Sequence, residues 1–337
     1  MFNVKKLGVA AAMLMIAVGA SASNFRGADQ VYVPVAGHIG GSSGTFISDV
    51  WVSNLSDSTV DVSVIYSTGA GGTQQEFKNI IRLNPRERKE YVDFFSSALG
   101  LSTGFGQLVF NACRNGGDCS VANQDSFGFS PDFRDITVQS RIYSIPTGTT
   151  LNQTPTPDTQ GQDMPGIPWY HYVTSLQAAN GLDKVFITGV RASGSAGQKG
   201  TYRCNIGLVN ASQYSTTTIV AKLFNGATGT QIGSNFNVTL SPLGHVQPGI
   251  GQMFPGFSGT NAYVTIEQTG NTPTGSDVPA TCVEGCPGFL AYGSVLDNGS
   301  GDATTLEAQY LKALDPAAVN AIYGGSGKPS PRRATRH

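Results

Sequence analysis

The sequence predicts an all-β chain built from two tandem copies of one β-sandwich unit, on three observations. Residues 45–54 (TFISDVWVSN) return as residues 201–210 (TYRCNIGLVN), each stretch preceded by Gly and closed by Asn with Ser two positions later. In both, apolar residues alternate with others: Phe46, Val50 and Val52 in one, Tyr202, Ile206 and Leu208 in the other. That is the period of a strand burying one face. Charged residues make up only 13% of the 337 while Gly reaches 43, a composition that supports helices poorly and turns well. The length also exceeds the size at which a single core stops growing, so two units are expected on that ground too.

At the start of the chain, Lys5 and Lys6 precede an apolar run that ends in Ala20-Ser21-Ala22, the three parts of a secretory signal. Residues 1–22 are therefore expected to be a signal peptide cleaved after Ala22. The run is about 14 residues long, short of the roughly 20 that span a bilayer. No later stretch reaches that length, so the mature chain is expected to be exported, periplasmic, cell-surface or extracellular, with no membrane span. Loss of Lys5 and Lys6 from 21 basic residues, against 22 acidic ones, leaves the mature chain at about −3. That balance carries no footprint for nucleic acid.

The first unit is expected over residues 23–145. Residues 23–30 read as an extended lead-in and residues 31–36 (VYVPVA) as a strand, with Pro34 on a sheet edge because it lacks an N–H. A Gly/Ser loop at residues 40–44 leads into the repeated strand, and Asn54 to Ser58 is turn chemistry. Residues 60–66 present Val60, Val62, Val64 and Tyr66 on one face. The strand at 77–83 ends in Asn84-Pro85, as its counterpart at 236–240 ends in Ser241-Pro242, and Pro pre-sets the turn in both. Residues 94–101 (FFSSALGL) suggest a single helical turn, with residues 251–257 as counterpart. Gly106, Leu108 and Phe110 match Ala262, Val264 and Ile266, and Val138 and Ile142 match Ala291 and Val295. The alignment of residues 216–224 to 60–66 needs a one-residue slip and leaves the buried face of that strand open. About seven short strands per unit of 115 to 125 residues is the count and size of an immunoglobulin-like sandwich, so two tandem immunoglobulin-like β-sandwich domains are expected.

Between the units, residues 146–183 are rich in Pro, Thr and Gly and read as a stiff linker with a short helix at 175–180. The second unit is expected over 184–314, and the basic segment 315–337 as a disordered tail.

Cys113 and Cys119 flank a polar loop after the sixth strand, and Cys282 and Cys286 sit in the matching interval of the second unit. In an exported chain these read as two local disulfides. Cys204 shares the core face of its strand and reads as a small buried hydrophobe. The letters Gly40-Gly41-Ser42-Ser43-Gly44 fit a nucleophile elbow, but lie in a loop between strands rather than between strand and helix. Neither His38 nor His245 stands in a recognisable triad pattern. No catalytic residue and no cofactor are expected. Asp297 and Asp302, flanking a Gly-rich turn, are the candidate ligands for a calcium ion. Trp51, on the face opposite Val50 and Val52, and Trp169, Tyr170 and Tyr172 are the candidate aromatic binding residues, able to stack on a sugar ring or a peptide, or to close the joint between units.

The motifs VPVAGH, GTF, V-x-N-x-S and GTY-x-x-N-I-G-L-V-N-A-S, with a last strand AYGSVLDN, resemble tandem immunoglobulin-like units of uncharacterised exported bacterial proteins. The resemblance covers nearly all of the mature chain and implies export and a sandwich fold; it supplies no catalytic residue. The expected function is a non-enzymatic cell-surface or periplasmic module for adhesion, scaffolding or ligand binding, with an unknown protein or glycan as partner. The alternatives are a carbohydrate-active or hydrolytic protein using the interdomain cleft, which pairing of Asp163 or Asp183 with Glu267 would favour, and a filament subunit assembled by strand addition.

Overall fold

The computed structural model describes residues 27–41, 44–117, 119, 134–150, 159–168, 173–174, 184–195, 197–273 and 287–310. The expected signal peptide, the Cys282–Cys286 pair, Trp169, Tyr170, Tyr172, the short helix and the tail lie outside them.

The chain is all-β and antiparallel, and its two halves repeat strand for strand. In the first unit the order is β1 (Gln30–Gly41), β2 (Gly44–Asn54), β3 (Val60–Thr68), β4 (Thr73–Leu83), β5 (Arg88–Tyr91), α1 (Phe94–Ser97), β6 (Gly104–Arg114), β7 (Ile136–Pro146), β8 (Gln160–Pro165) and β9 (Ile167–Pro168). After β10 (Val173–Thr174), the second runs β11 (Lys184–Ala192), β12 (Tyr202–Asn210), β13 (Ser215–Asn225), β14 (Gln231–Leu240), β15 (His245–Val246), α2 (Ile250–Met253), β16 (Gly259–Pro273), β17 (Pro287–Asp297), β18 (Ala303–Glu307) and β19 (Gln309–Tyr310). One sheet layer of each unit reads β4-β3-β6-β1-β9 and β14-β13-β16-β11-β19; the other reads β5-β2-β7-β8 and β15-β12-β17-β18.

The β2–β5 and β3–β6 neighbours are those that join strands two with five and three with six in an immunoglobulin domain. Here, however, β1 lies beside β6 and β7 beside β2. In the first unit β1 also pairs with β2 through His38 to Gly41, which fuses both layers into one sheet; in the second a single bridge, Ser193 to Tyr202, takes that place.

The period-two pattern decides which side of each strand is buried. Val60, Val62, Val64, Leu108 and Phe110 fill the first core, and Ile206, Leu208, Val264 and Ile266 the second. The slip left open by the sequence resolves with Ile219, Ala221 and Leu223 inward. Pro34 is not at an edge. It lies in the bulge between Val33 and Ala36, where β1 is out of register with β6 and needs no ladder N–H; Gly189, with φ 79°, marks the matching bulge in β11.

The shared Asn-x-Ser is a structural knot. Asn54 Nδ2 donates to the carbonyls of Ser58 (2.7 Å) and Asn84 (2.8 Å) while its Oδ1 accepts the Ser56 amide. Asn210 does the same, donating to Ser215 (2.7 Å), Leu240 (3.1 Å) and Ser241 (2.9 Å) and accepting the Ser212 amide. Each ties the end of a strand to the turn after the fourth strand of its unit. Asn210→Ala leaves those buried carbonyls without a donor and is expected to cost about 2 kcal/mol. Urea denaturation checks this; a midpoint unchanged from wild type contradicts it.

The structure departs from the sequence reading in two places. Residues 160–168, read as linker, form β8 on the edge of β7 and β9 on β1. Their polar, Pro-rich sequence hides them because an edge strand needs few apolar anchors. The units are also not sealed apart. Ser63, Ser67, Gln107 and Asn111, on the face of β3 and β6 that alternation assigns to solvent, are wholly buried. The outer face of β12 and β17 packs on this sheet face at Tyr32, Ser67 and Gln107, bringing Val209, Ala211, Leu243, Leu290 and Tyr292 into the first unit's core cluster. Hydrogen bonds cross the contact: Tyr32 hydroxyl to Ala211 carbonyl (2.6 Å), Ser67 hydroxyl to Leu243 carbonyl (2.7 Å) and Gln107 Nε2 to Leu243 carbonyl (2.6 Å). Four sheet layers are thus stacked, and the middle contact joins the two units.

Both long outer strands, β4 and β14, are blunted as templates for strand addition. Each breaks register with its neighbour, at Asn79 (φ 48°) in β4 and near Gly233 (φ 70°) in β14. Among the described residues no helix is long and apolar enough to cross a membrane.

Candidate functional site

A groove of about 600 Å³ opens where the units meet, walled by β7, β8 and β9 of the first and by β18 of the second. β8 crosses this junction because Thr305 donates its hydroxyl to the Asp163 carbonyl (2.6 Å) and Ser294 its hydroxyl to Gln162 Oε1 (2.9 Å). Gly166 lets the chain turn from β8 into β9, since a Cβ there would sit 2.3 Å from the Val138 carbonyl oxygen.

Trp51 lines the groove, half-buried beside Gln139 on the adjacent strand, with the Arg88 guanidinium 5.8 Å from its ring centre. Such a cation holds the indole in place through the ring quadrupole. Ser140 also lines it. Its side chain, 2% exposed and with an Oγ that has no partner among the described residues, shares the core face of the sheet with Val50 and Met164, opposite Trp51. Asp163 and Glu307 supply carboxylates, and no basic side chain is among the lining residues. The chemistry is one apolar ring with Arg88 against it, amides, hydroxyls and two carboxylates, which suits a neutral polar ligand.

Sequence reasoning singled out Trp51 as an aromatic off the core face but missed the rest of the groove, because its walls come from the presumed linker and from the last strands. Glu267 is elsewhere. On the outer face of the second unit it bridges Lys184 (3.1 Å) and Lys222 (2.5 Å), which hold its carboxyl below the usual range although burial alone would raise it. It therefore does not share a pocket with Asp163.

The remaining candidates fall as follows. Cys113 and Cys119 form a disulfide with Cα atoms 5.4 Å apart, closing the loop after β6. Cys204 is buried and free, and burial pushes its thiol up to about 12, in keeping with a packing residue. Asp297 closes its own turn: one oxygen accepts the Gly299 and Ser300 amides, both at 2.8 Å, and these bonds hold its carboxyl below the usual range. Among the described residues no group of three His, Cys, Asp or Glu side chains could hold a metal, so the pairing of Asp297 with Asp302 for calcium gains no further ligand. Gly40 and Gly41 belong to β1 and Gly44 to β2, a hairpin rather than a nucleophile elbow.

Two polar clusters were not legible in sequence. His38 Nδ1 lies 2.9 Å from the Asp93 carboxylate. Close by, Asp49 accepts the Asp93 amide (2.9 Å) and the Tyr143 hydroxyl (3.0 Å), and burial raises its carboxyl nonetheless. At the inter-unit contact His245 Nε2 meets the Tyr292 hydroxyl at 3.1 Å, and burial lowers the imidazole to about 4.

No family model matches the chain, and no curated protein matches it. Among solved structures, a chain from the cryo-EM atomic structure of Broad Bean Stain Virus is similar at a TM-score of 0.20 and 11% identity, over 88% of this chain and 94% of that one. A likeness of that size carries no argument about fold or function.

Proposed function

We propose that this chain is an exported, non-enzymatic pair of immunoglobulin-like sandwich units that holds a neutral glycan in the junction groove, at the cell surface or in the periplasm. The single observation that carries this reading is the groove itself, where a half-buried Trp51 stands among Thr137, Gln139, Asp163, Thr304 and Glu307. An indole face stacks on the apolar side of a pyranose ring, while hydroxyls and amides take its hydroxyl groups. The signal sequence, low charge and cysteine spacing support export. The β2–β5 and β3–β6 strand neighbours support the immunoglobulin-like grouping, with the first and seventh strands exchanged and β4 set beside β3.

A glycan array probed with the mature chain tests this. Retention of a neutral glycan, weakened about tenfold or more by Trp51→Ala, is the expected result. Equal retention by wild type and variant overturns it. Asp163 and Glu307 in one groove favour a second, hydrolytic reading. Release of reducing sugar from the retained glycan, abolished by Asp163→Asn, would replace the first reading with that one.

A further inference from the structure

The walls of the groove belong to different units, so its width is set by whatever holds the units together at this end of their contact. On the first-unit side β8 is pinned closely. Met164 is fully buried in the first core cluster, and Gly161 lies against β7 where a Cβ would fall 2.3 Å from the Tyr143 Cβ. On the second-unit side the grip comes from one cross-strand pair. Ser294 on β17 stands opposite Thr305 on β18, and their hydroxyls reach consecutive residues of β8. Ser294 donates to Gln162 Oε1 (2.9 Å) and Thr305 to the Asp163 carbonyl (2.6 Å). Ser294 is 3% exposed and Gln162 9%, so the first of these bonds is closed to water.

The duplication shows what is particular to this pair. Asn54 pairs with Ile136 as Asn210 pairs with Phe289, so Ser294 stands at the position of Arg141. Arg141 pairs with Asp163 as Ser294 pairs with Thr305. Two charged side chains in the first unit are thus two short hydroxyls in the second. A short hydroxyl lets its strand approach a neighbouring main chain closely enough to donate to it, and the long Arg141 side chain instead lies over the Tyr143 ring at 5.0 Å. Trp51 and Gln139 stand on the first wall, Thr304 and Glu307 on the second. A ligand that touches both walls binds better when they are held in place beforehand, and a site about 1 Å too loose loses affinity.

We propose, resting on the reading of the groove as a glycan site, that Ser294 and Thr305 are positioning residues that hold β8 at one distance from β18 and so preset both walls for the ligand.

The test combines distance with binding. Spin labels on ketone side chains introduced at Glu90, beside Trp51, and at Asp302, next to β18, report the separation of the walls from exposed positions outside the lining. The mature chain is expected to give one narrow distance distribution. Ser294→Ala and Thr305→Val together are expected to broaden it towards longer distances, with thermal melts to verify folding; should the double variant unfold, Thr305→Val alone is measured. On the array, half-saturation by the best-retained neutral glycan is expected to weaken about fivefold with either single variant, and to recover with Thr305→Ser, which restores the hydroxyl. Ser294 does not line the groove, so its effect passes through β8 rather than through a contact with the ligand. A distance distribution left unchanged overturns the proposal, as does a broadened distribution with unaltered retention, or a Thr305→Ser variant that behaves as Thr305→Val. Should wild type retain no glycan, the reading of the groove falls, while the distances still decide whether this pair sets its width.

Discussion

Leu243→Asp is expected to unfold both units in one step, lowering stability by about 4 kcal/mol or more. Leu243 belongs by sequence to the second unit, on the turn between β14 and β15, yet it is fully buried within the core cluster of the first. Its carbonyl receives the Ser67 hydroxyl and the Gln107 amide, so the side chain is held where those bonds hold the backbone. Removing a buried leucine side chain costs about 2–5 kcal/mol, and an unpaired carboxylate in its place adds a desolvation penalty. The backbone at 243 is left-handed, with φ 54°, a conformation that Asp tolerates better than Leu, so the loss is attributable to the side chain. Hydrogen exchange in denaturant reads both units at once. Amides of β6 and β16 are expected to lose protection together. Loss confined to β16, with β6 unchanged, would show that the units are held independently.

That prediction rests on the part of the fold least visible in the sequence. Val60, Val62 and Val64 announce the inward face of β3 by alternation, and the return of Gly-Thr-aromatic with Asn-x-Ser announces the duplication, because both follow from contacts inside one unit. The contact between units leaves a fainter trace, in Tyr32, Ile65 and Val109, apolar side chains buried on the face that alternation assigns to water. Ser63, Ser67, Gln107 and Asn111 are polar, and alternation assigns polar positions to water. Ser67 and Gln107 donate to main-chain carbonyls of the second unit, at Leu243 and Asn210, while Ser63 bonds Asn79 and Asn111 accepts from Gln30 within the first. A polar residue satisfied across an interface and one satisfied by water have the same sequence signature. The groove was half legible for the same reason. Trp51 stood out as an aromatic on the wrong face of its strand, whereas Ser140, Asp163 and Glu307 meet only through the crossing of β8 from one layer towards another. The His38–Asp93 pair joins β1 to the turn before α1, 55 positions apart in sequence, and carries no local spacing to recognise.

Acidification is expected to weaken the contact between units through His245. The imidazole is 3% exposed, set between the Phe105 ring at 5.7 Å and the Tyr292 ring at 6.4 Å, and burial holds it neutral down to about 4. In the unfolded chain it titrates near 6.5, so between 6.5 and about 4 the unfolded state carries the extra proton. The sign follows: the contribution of His245 is complete above pH 6.5, falls as pH drops through that window, and levels off below about 4. The gap corresponds to about 3 kcal/mol between the two ends. Asp49 and Asp135, whose carboxyls burial raises, titrate with the opposite sign as pH falls, so the measurement must be differential. Urea stabilities of wild type and His245→Asn, taken from pH 8 to pH 4, supply it. Their difference is expected to stay flat above pH 7 and to shrink by about 3 kcal/mol towards pH 4. A difference independent of pH would show that His245 is protonated as readily in the folded chain as in the unfolded one, and that the contact between units is wet rather than dry.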